Sequence, residues 1–564
     1  MTYLGTQVDP ADRERLADGF RRIDGPMLRA LAEAGLIWLR TNQQLVNALN
    51  VFPVPDGDTG TNMTLTMQAA LEEVADSTET SVGRMAKAIA HGALMGARGN
   101  SGVILSQLWR GLARGLDDLA TMDAPALAQS LDSARETAYK GVLQPVEGTI
   151  LTVAKDLAKA AQEAAARPSA TNLDVLEAVV LAADQSVERT PQLLPVLREA
   201  GVVDSGGKGL FLILEGMLRT IYGLALNEPL LEVKPISQLQ LEQTAEAIEP
   251  GQDWEVIVDF HPAEDLNIPA FYQRLGQLGT SIQVGEGDGI YRIHIHVPDQ
   301  TELQPIEYVR SLGTIANVRI ENLMLQLPRG RMAPSRPPLR LATPEAGQIA
   351  VIVVSPGEGM SRVFGSLGAA GVIDGGQTMN PSTQQILQAV ELAPTDQVIV
   401  LPNNKNIVMS ARQAVDLTVK KVAVVPTHTG PQGIAAMLAL DPDGKLDEVA
   451  AAMVSSMQAV RTVEVTVATR SAKVDGVDVC AGQTIGLLDD TLVAAGENLY
   501  DVLRDSLGKA GASRAELATL YYGSDIRLAE VKQLSEQLRA EWPGLQIEIH
   551  EGGQPHYPII ASVE

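Results

Sequence analysis

The residues best suited to chemistry lie together in Asn50-Val-Phe-Pro-Val-Pro-Asp56-Gly57-Asp58-Thr59-Gly60-Thr61-Asn62-Met63. Two carboxylates separated by one glycine can turn toward a common point, and carboxylate oxygens are the donors Mg²⁺ prefers. The Gly-Thr-Asn that follows opens a helix expected to begin near Met63. Its unsatisfied backbone N–H groups and positive dipole end suit a phosphate. Carboxylates beside such a helix start fit a Mg-nucleotide. They equally fit a plain Asp-Gly turn capped by Thr or Asn, which is the commoner use of these residues. A calcium EF-hand does not fit. Counting from Asp56, the fifth place is Gly60, the glycine place is Thr61 and the glutamate place is Met67.

A second glycine-rich turn, Gly96-Ala97-Arg98-Gly99-Asn100-Ser101-Gly102, runs straight into the helical stretch VILSQLWRGL. It offers backbone donors, with Arg98 as a candidate phosphate clamp. It is neither a P-loop nor a dinucleotide fingerprint, since no G-x-x-x-x-G-K-[ST] occurs and no G-x-G-x-x-G opens a helix. Glycines at close helix junctions are the alternative use of the same turn. Val146-Glu147-Gly148-Thr149 and Val203-Asp204-Ser205-Gly206-Gly207-Lys208-Gly209 also sit at helix starts, so four such starts could meet at one nucleotide. Ser205 and Lys208 spell S-x-x-K, but the motifs that accompany it in β-lactamases are missing.

These turns need helices to hold them. Met27-Leu28, Leu31, Leu36-Ile37, Leu39 and Leu45-Val46 recur at helical spacing, and similar patterns continue to about residue 225 without alternating strands. Short alternating runs follow (WEVIVDF, SIQVGEG, YRIHIHV, ANVRIENL) around one helix, IPAFYQRLGQLG, giving a small α+β domain. A Pro- and Arg-rich linker then leads to IAVIVV, QVIVLP and KKVAVVP. Each is an apolar strand followed by a helical stretch, the pattern of a parallel sheet with helical crossovers. After Arg461 the chain becomes β-rich.

With 564 residues the chain is long enough for three or four domains at about 150 residues each. A net charge of −25 repels phosphate backbones and anionic membranes, which argues against nucleic acid and polybasic lipid docking. A single cysteine, Cys480, excludes an internal disulfide framework and a Cys-based zinc cluster. The N-terminal residues show no signal peptide, and no run approaches the roughly 18 apolar residues of a membrane helix, so a cytoplasmic protein is expected.

The stretch Asn47–Met67, with GARGNSG and VVDSGGKG, resembles the nucleotide-binding domain of dihydroxyacetone kinases and, more closely, the A-type kinase subunit of bacterial fatty acid kinase. DGGQTMNPSTQQIL (374–387), VIVLPNNKNI (398–407), PQGIAAMLA (431–439) and GGQPHYPIIASVE (552–564) resemble that family's C-terminal domain. The resemblance implies a multidomain protein: an N-terminal tail (1–23), an all-α eight-helix barrel (24–226), a connector (227–252), a middle α+β domain (253–325), a linker (326–347) and an α/β DegV-like domain (348–564).

It implies ATP held through two Mg²⁺ ions. Asp56 and Asp58 would be metal ligands with Asn50 or a neighbour as a third. Thr61, Asn62, Met63, Ser101, Gly102, Gly148, Thr149 and Asp204 to Gly206 would lie around the nucleotide, and Arg98 would add positive charge. Thr59 stands where the dihydroxyacetone branch has a histidine, and Asn50 stands near that branch's earlier aspartate ligand. The implied reaction phosphorylates the carboxylate of a fatty acid held by a separate DegV-family carrier protein. The implied assembly is a homodimer.

The loops Gly376–Asn380 and Asn403–Asn406, after apolar strands, are candidates for meeting the carrier. Helix-capping turns are the alternative. His294 and His296 alternate on one strand and face one side. Relatives place a metal near this pair with a cysteine on the WEVIVDF strand; Ile257 stands there here, with His261 nearby, and a structural pair is the simpler use. Two other functions remain open: a dihydroxyacetone or triose kinase component, and a lipid-responsive scaffold without catalysis.

Overall fold

In a computed structural model the described residues are 2–3, 6–7, 10–50, 57–142, 144–227, 234–235, 254–263, 266, 268–287, 290–298, 301–322, 339–375, 380–468, 472–474, 477–480 and 482–564. They form two compact units, one of residues 1–227 with 339–564 and one of residues 228–338.

The first part of the larger unit is helical. Its elements are α1 (Pro10–Gly19), α2 (Gly25–Thr41), α3 (Gln43–Ala48), α4 (Thr59–Glu72), α5 (Val82–Gly96), α6 (Gly99–Gly115), α7 (Ala124–Gly141), α8 (Ile150–Ala165), α9 (Asn172–Leu193), α10 (Pro195–Ala200) and α11 (Ser205–Ile221). From α4 to α9 successive long helices pack side by side, and α11 returns against both α9 and α2. The Trp38 indole of α2 donates to Glu215 of α11 at 2.8 Å, and the Arg219 guanidinium lies 4.0 Å from the Trp38 ring centroid. A continuous apolar core fills the middle, with Trp38, Leu39, Met63, Met67 and Leu105 almost wholly buried.

The N-terminal boundary differs from the sequence expectation. Residues 10–19, assigned to a tail, form α1, which packs on α9. Arg13 there bonds Asp174 at 2.6 Å and also pairs with Glu177, holding the guanidinium's pKa above its usual value. Burial of Ala17 adds an apolar anchor. Helix α4 also begins earlier than expected, at Thr59 rather than near Met63.

The smaller unit is a β-sheet with two helices: β1 (Trp254–Pro262), α12 (Ile268–Gly276), β2 (Thr280–Gly287), β3 (Ile290–Val297), α13 (Gln304–Leu312) and β4 (Gly313–Asn322). The long strands are ordered β2-β3-β1-β4, all antiparallel, with Lys234–Pro235 pairing at the outer edge of β2.

The remainder of the larger unit begins with β5 (Ile349–Ser355), α14 (Glu358–Ser366), β6 (Gly371–Asp374), α15 (Thr383–Leu392), β7 (Gln397–Leu401), α16 (Lys405–Val415), β8 (Lys421–Val424), α17 (Gly430–Leu438) and α18 (Leu446–Met457). Its four strands pair in parallel in the order β8-β7-β5-β6, as the apolar-strand pattern predicts. Every residue of β5 is buried, which is how a strand covered on both faces reads.

Then come β9 (Arg461–Val467), β10 (Ala472–Val474), β11 (Val477–Val479), β12 (Thr484–Leu488), β13 (Thr491–Gly496), α19 (Leu499–Ala510), β14 (Leu517–Tyr522), α20 (Leu528–Glu541), β15 (Gln546–Glu551) and β16 (Ile559–Val563). Six of these strands form a mixed sheet, β13-β12-β9-β16-β14-β15. No helix among the described residues is long and apolar enough to cross a membrane.

Candidate functional site

Helices α8, α11, α4 and α6 begin along one line of contacts. At the start of α11, Asp204 accepts from Gly207 N–H at 2.6 Å and also from the backbone N–H of Ile150, the first residue of α8. The next residue, Ser205, donates to Thr59 of α4 at 3.2 Å. Helix α4 in turn touches α6 at its first turn. A Cβ on Gly99 would come 2.6 Å from the Asn62 amide nitrogen, and one on Gly102 would come 2.3 Å from Thr66 Oγ1. Gly99 also has φ +57, a conformation that favours glycine. These positions are glycine because the two helix starts touch.

The four starts differ in how their backbone donors are used. Thr149 accepts from Leu151 N–H and donates to the Val146 carbonyl, so α8 is capped from within. Gly148, at φ +86, donates its N–H to Thr152 Oγ1 at 2.8 Å. Asp204 caps α11 while fully buried, and burial pushes its pKa up to about 7 against the two backbone N–H groups that favour its charge. Gly206 packs over Ile150. By contrast, no side-chain hydrogen bond caps α4 at Asp58 or α6 at Arg98. An anion attracted by helix termini would find its donors at these two starts, which lack a cap from their own N-cap residue, although Asn47 takes the Thr61 N–H of α4.

Asp58 is 7% exposed, and its backbone carbonyl accepts from Asn62 N–H at 2.8 Å. Its Oδ2 accepts from the Asn380 side-chain amide at 2.7 Å. Arg98 donates from Nη1 to the Asn380 carbonyl at 2.8 Å, and burial lowers its pKa. No carboxylate pairs with Arg98 among the described residues. Thr61 is committed locally: its N–H donates to Asn47 Oδ1, and its hydroxyl accepts from Asn47 and Gln43. Asn62 and Met63 are buried in the first turn of α4, Ser101 and Gly102 lie in the first turn of α6, and Asn50 is buried just after α3. Asp56 lies outside the described residues, as do residues 376–379.

Asn380 Oδ1, on the amide that bonds Asp58, and Asn100 Oδ1 in the first turn of α6 are buried with no hydrogen-bond partner among the described residues. A buried carboxylate bonded to an amide whose own oxygen is unpaired offers hard donors that suit Mg²⁺. The residues present therefore fit that ion. Sequence reasoning singled out Asn380 only as part of a loop that could meet a carrier. The structure instead buries Asn380, Asn403, Asn404 and Asn406. Asn403 accepts from Thr427 and donates to the Val354 carbonyl, and Asn406 accepts from Asn100. These loops sit at the carboxyl ends of parallel strands, where ligands usually meet an open sheet. Here the helical part of the same chain occupies that place.

In the smaller unit the histidine pair gains a third member. His294 and His296 approach at 3.2 Å between Nε2 atoms, and His294 Nδ1 lies 3.5 Å from Glu255. Their potential ligand atoms all fall within 4.8 Å of one another. Burial, and then His296, lowers the His294 pKa to about 4. No sequence pattern singles out Glu255; the strand register brings it to the pair, because β1 places it opposite His296. Ile257 is opposite His294 and is buried in the core, and His261 is exposed.

Family comparisons cover most of the chain. Residues 53–219 match the DAK2 domain, 249–329 the middle domain of the FakA-like proteins of fatty acid kinase, and 350–564 the FakA-like C-terminal domain. The chain is 38% identical over 553 residues to Protein YloV of Bacillus subtilis (strain 168), covering 96% of this chain and all of that one. It is 36% identical over the same span to an uncharacterized Staphylococcus aureus (strain USA300) protein. Among solved structures, a DegV family protein from Corynebacterium glutamicum matches at TM-score 0.31 and 17% identity, covering 38% of this chain and 96% of that one. The fatty acid kinase B3 protein of Streptococcus pneumoniae, loaded with linoleic acid, matches at TM-score 0.27 and 17% identity, covering 33% and 76%.

Proposed function

The chain belongs to the FakA-like family of fatty acid kinase proteins, and from that premise we propose that it is an ATP- and Mg²⁺-dependent phosphotransferase. Its acceptor is the carboxylate of a fatty acid presented by a separate carrier of the DegV family, and its product is an acyl phosphate. The observation that supports this reading is the buried Asp58 at the start of α4, beside the start of α6 and an Arg98 guanidinium that no described carboxylate neutralises.

A fatty acid carboxylate is ionised near neutral pH, so no side chain need remove a proton. Its oxygen attacks the γ-phosphorus as the bond to the ADP oxygen breaks. The protein's task is then alignment and charge neutralisation. Asp58, with Asp56 and Asn50, would hold Mg²⁺, which neutralises phosphate charge during transfer. The starts of α4 and α6 would face the phosphates with Asn62, Met63, Ser101 and Gly102 in their first turns, Thr61 being held by Asn47 and Gln43, and Arg98 would add positive charge. Gly148, Thr149, Asp204 and Gly206 would shape the far wall, since their polar atoms are already used as caps. We also read the helical part as the eight-helix barrel of the family, the chain as three domains, the ions as two, and the working form as a homodimer.

The full-length chain, ATP and Mg²⁺ should be incubated with either a fatty-acid-loaded carrier or dihydroxyacetone. Acyl phosphate, trapped with hydroxylamine, is the expected product. Asp58→Ala should lower its formation about 100-fold or more, as removal of a charge-stabilising group typically does. Phosphorylated triose without acyl phosphate would overturn the reading.

A further inference from the structure

We propose that Asn380, supplied by the C-terminal α/β part, is a positioning residue that completes the cation site built around Asp58 in the helical part. This rests on the kinase reading above and deepens it. Asn380 is 1% exposed and donates Nδ2–H to Asp58 Oδ2 at 2.7 Å. The orientation of the amide follows from chemistry, since an ionised carboxylate can only accept. The bond fixes the rotation of the Asp58 carboxylate. It also leaves Asn380 Oδ1 buried and unpaired among the described residues, on the same amide that is already turned to Asp58. An unpaired buried oxygen is costly unless something fills its place, and a cation bound by Asp58 would do so.

The surroundings hold Asn380 from both sides. Its own carbonyl accepts from Arg98. Pro381 follows it, which restricts Asn380 to extended conformations. Ser382 and Gln385 form a capping box at the start of α15, and Thr383 N–H donates to the Ala97 carbonyl at 3.2 Å. Two further polar links join the same parts, Asn100 to Asn406 at 3.1 Å and Gln413 to Ser106 at 3.3 Å. The α/β part is thus tied to the beginning of α6 by several bonds, and the Asn380 bond reaches the Asp58 carboxylate.

The test measures binding rather than turnover alone. Mn²⁺ affinity of the full-length chain, with a non-hydrolysable ATP analogue present, is read from the electron paramagnetic resonance of free Mn²⁺. Loss of a group that orients a metal ligand typically costs 10- to 100-fold in affinity. Asn380→Ala and Asn380→Leu should each weaken Mn²⁺ binding at least about tenfold, and Gln413→Ala should leave it unchanged. If Asp58→Ala loses Mn²⁺ while both Asn380 variants match the wild type, the positioning role is overturned and the kinase reading stands. If Asp58→Ala itself binds Mn²⁺ normally, the kinase reading fails first. Equal loss in Gln413→Ala and Asn380→Ala would assign the effect to the interface as a whole and also overturn the proposal. Should Asn380→Ala misfold, the Leu variant, closer in size to the amide, decides.

Discussion

The Asp58 site and the Glu255-His294-His296 cluster are both candidate cation sites, and they are built in opposite ways. The histidine cluster comes from two paired strands: register alone places Glu255 opposite His296, and the two-residue spacing puts His294 on the same face. Its donors are two imidazoles and a carboxylate, which suit Zn²⁺ better than Mg²⁺. The Asp58 site is gathered from the starts of separate helices and from a loop 322 residues away, with oxygen donors only. A site assembled by local register tolerates loss of distant contacts. A site assembled by helix starts depends on every close approach between them.

The sharpest break in this comparison is Gly99→Ala. Its Cβ would meet Asn62 at 2.6 Å, and its φ of +57 disfavours any other residue. We expect a cost of about 1–3 kcal/mol in thermal unfolding, with loss of nucleotide-analogue binding and retained Zn²⁺ binding in the smaller unit. Loss of both would erase the contrast. The converse variant is His294→Ala. Zn²⁺ at about a hundred times its dissociation constant should stabilise the wild-type chain by roughly 2.7 kcal/mol, seen calorimetrically, and should not stabilise this variant. Wild-type melting that ignores Zn²⁺ would make the pair structural only.

The smallest effect concerns the capped starts. Asp204 has a folded pKa raised to about 7, above its unfolded value. Its contribution to stability is therefore fully present below the unfolded pKa and is lost as pH rises through 7. Asp204→Asn keeps an acceptor for the caps but cannot ionise. Its melting temperature should fall less than that of the wild type between pH 5 and pH 8. Parallel pH profiles would show that Asp204 does not titrate in this range.

Much of this architecture was legible in the residues. Periodicity located the helical part, and runs such as IAVIVV and QVIVLP announced the parallel sheet, because a strand buried on both faces must be apolar throughout. The glycine turns at Gly99 and Gly148 marked real close contacts and positive φ. The α1 helix was less legible: it is short and polar, and it is held by Arg13 pairing with acids more than 160 residues later. The capped or uncapped state of each helix start was equally hidden, since Thr and Asp can serve a ligand or their own backbone with the same atoms.

The sequence by itself determined which oxygen, imidazole and glycine groups the protein has, and which helices and strands carry them, because those follow from side-chain chemistry and short-range periodicity. Only the tertiary structure decided that Asn380 turns inward to Asp58, that Arg98 bonds its carbonyl, and that Glu255 joins the histidines. The physical reason is reach. A hydrogen bond acts over about 3 Å, and no local pattern encodes which of two distant loops will be brought that close. That choice belongs to the packing of the α/β part against α5 and α6.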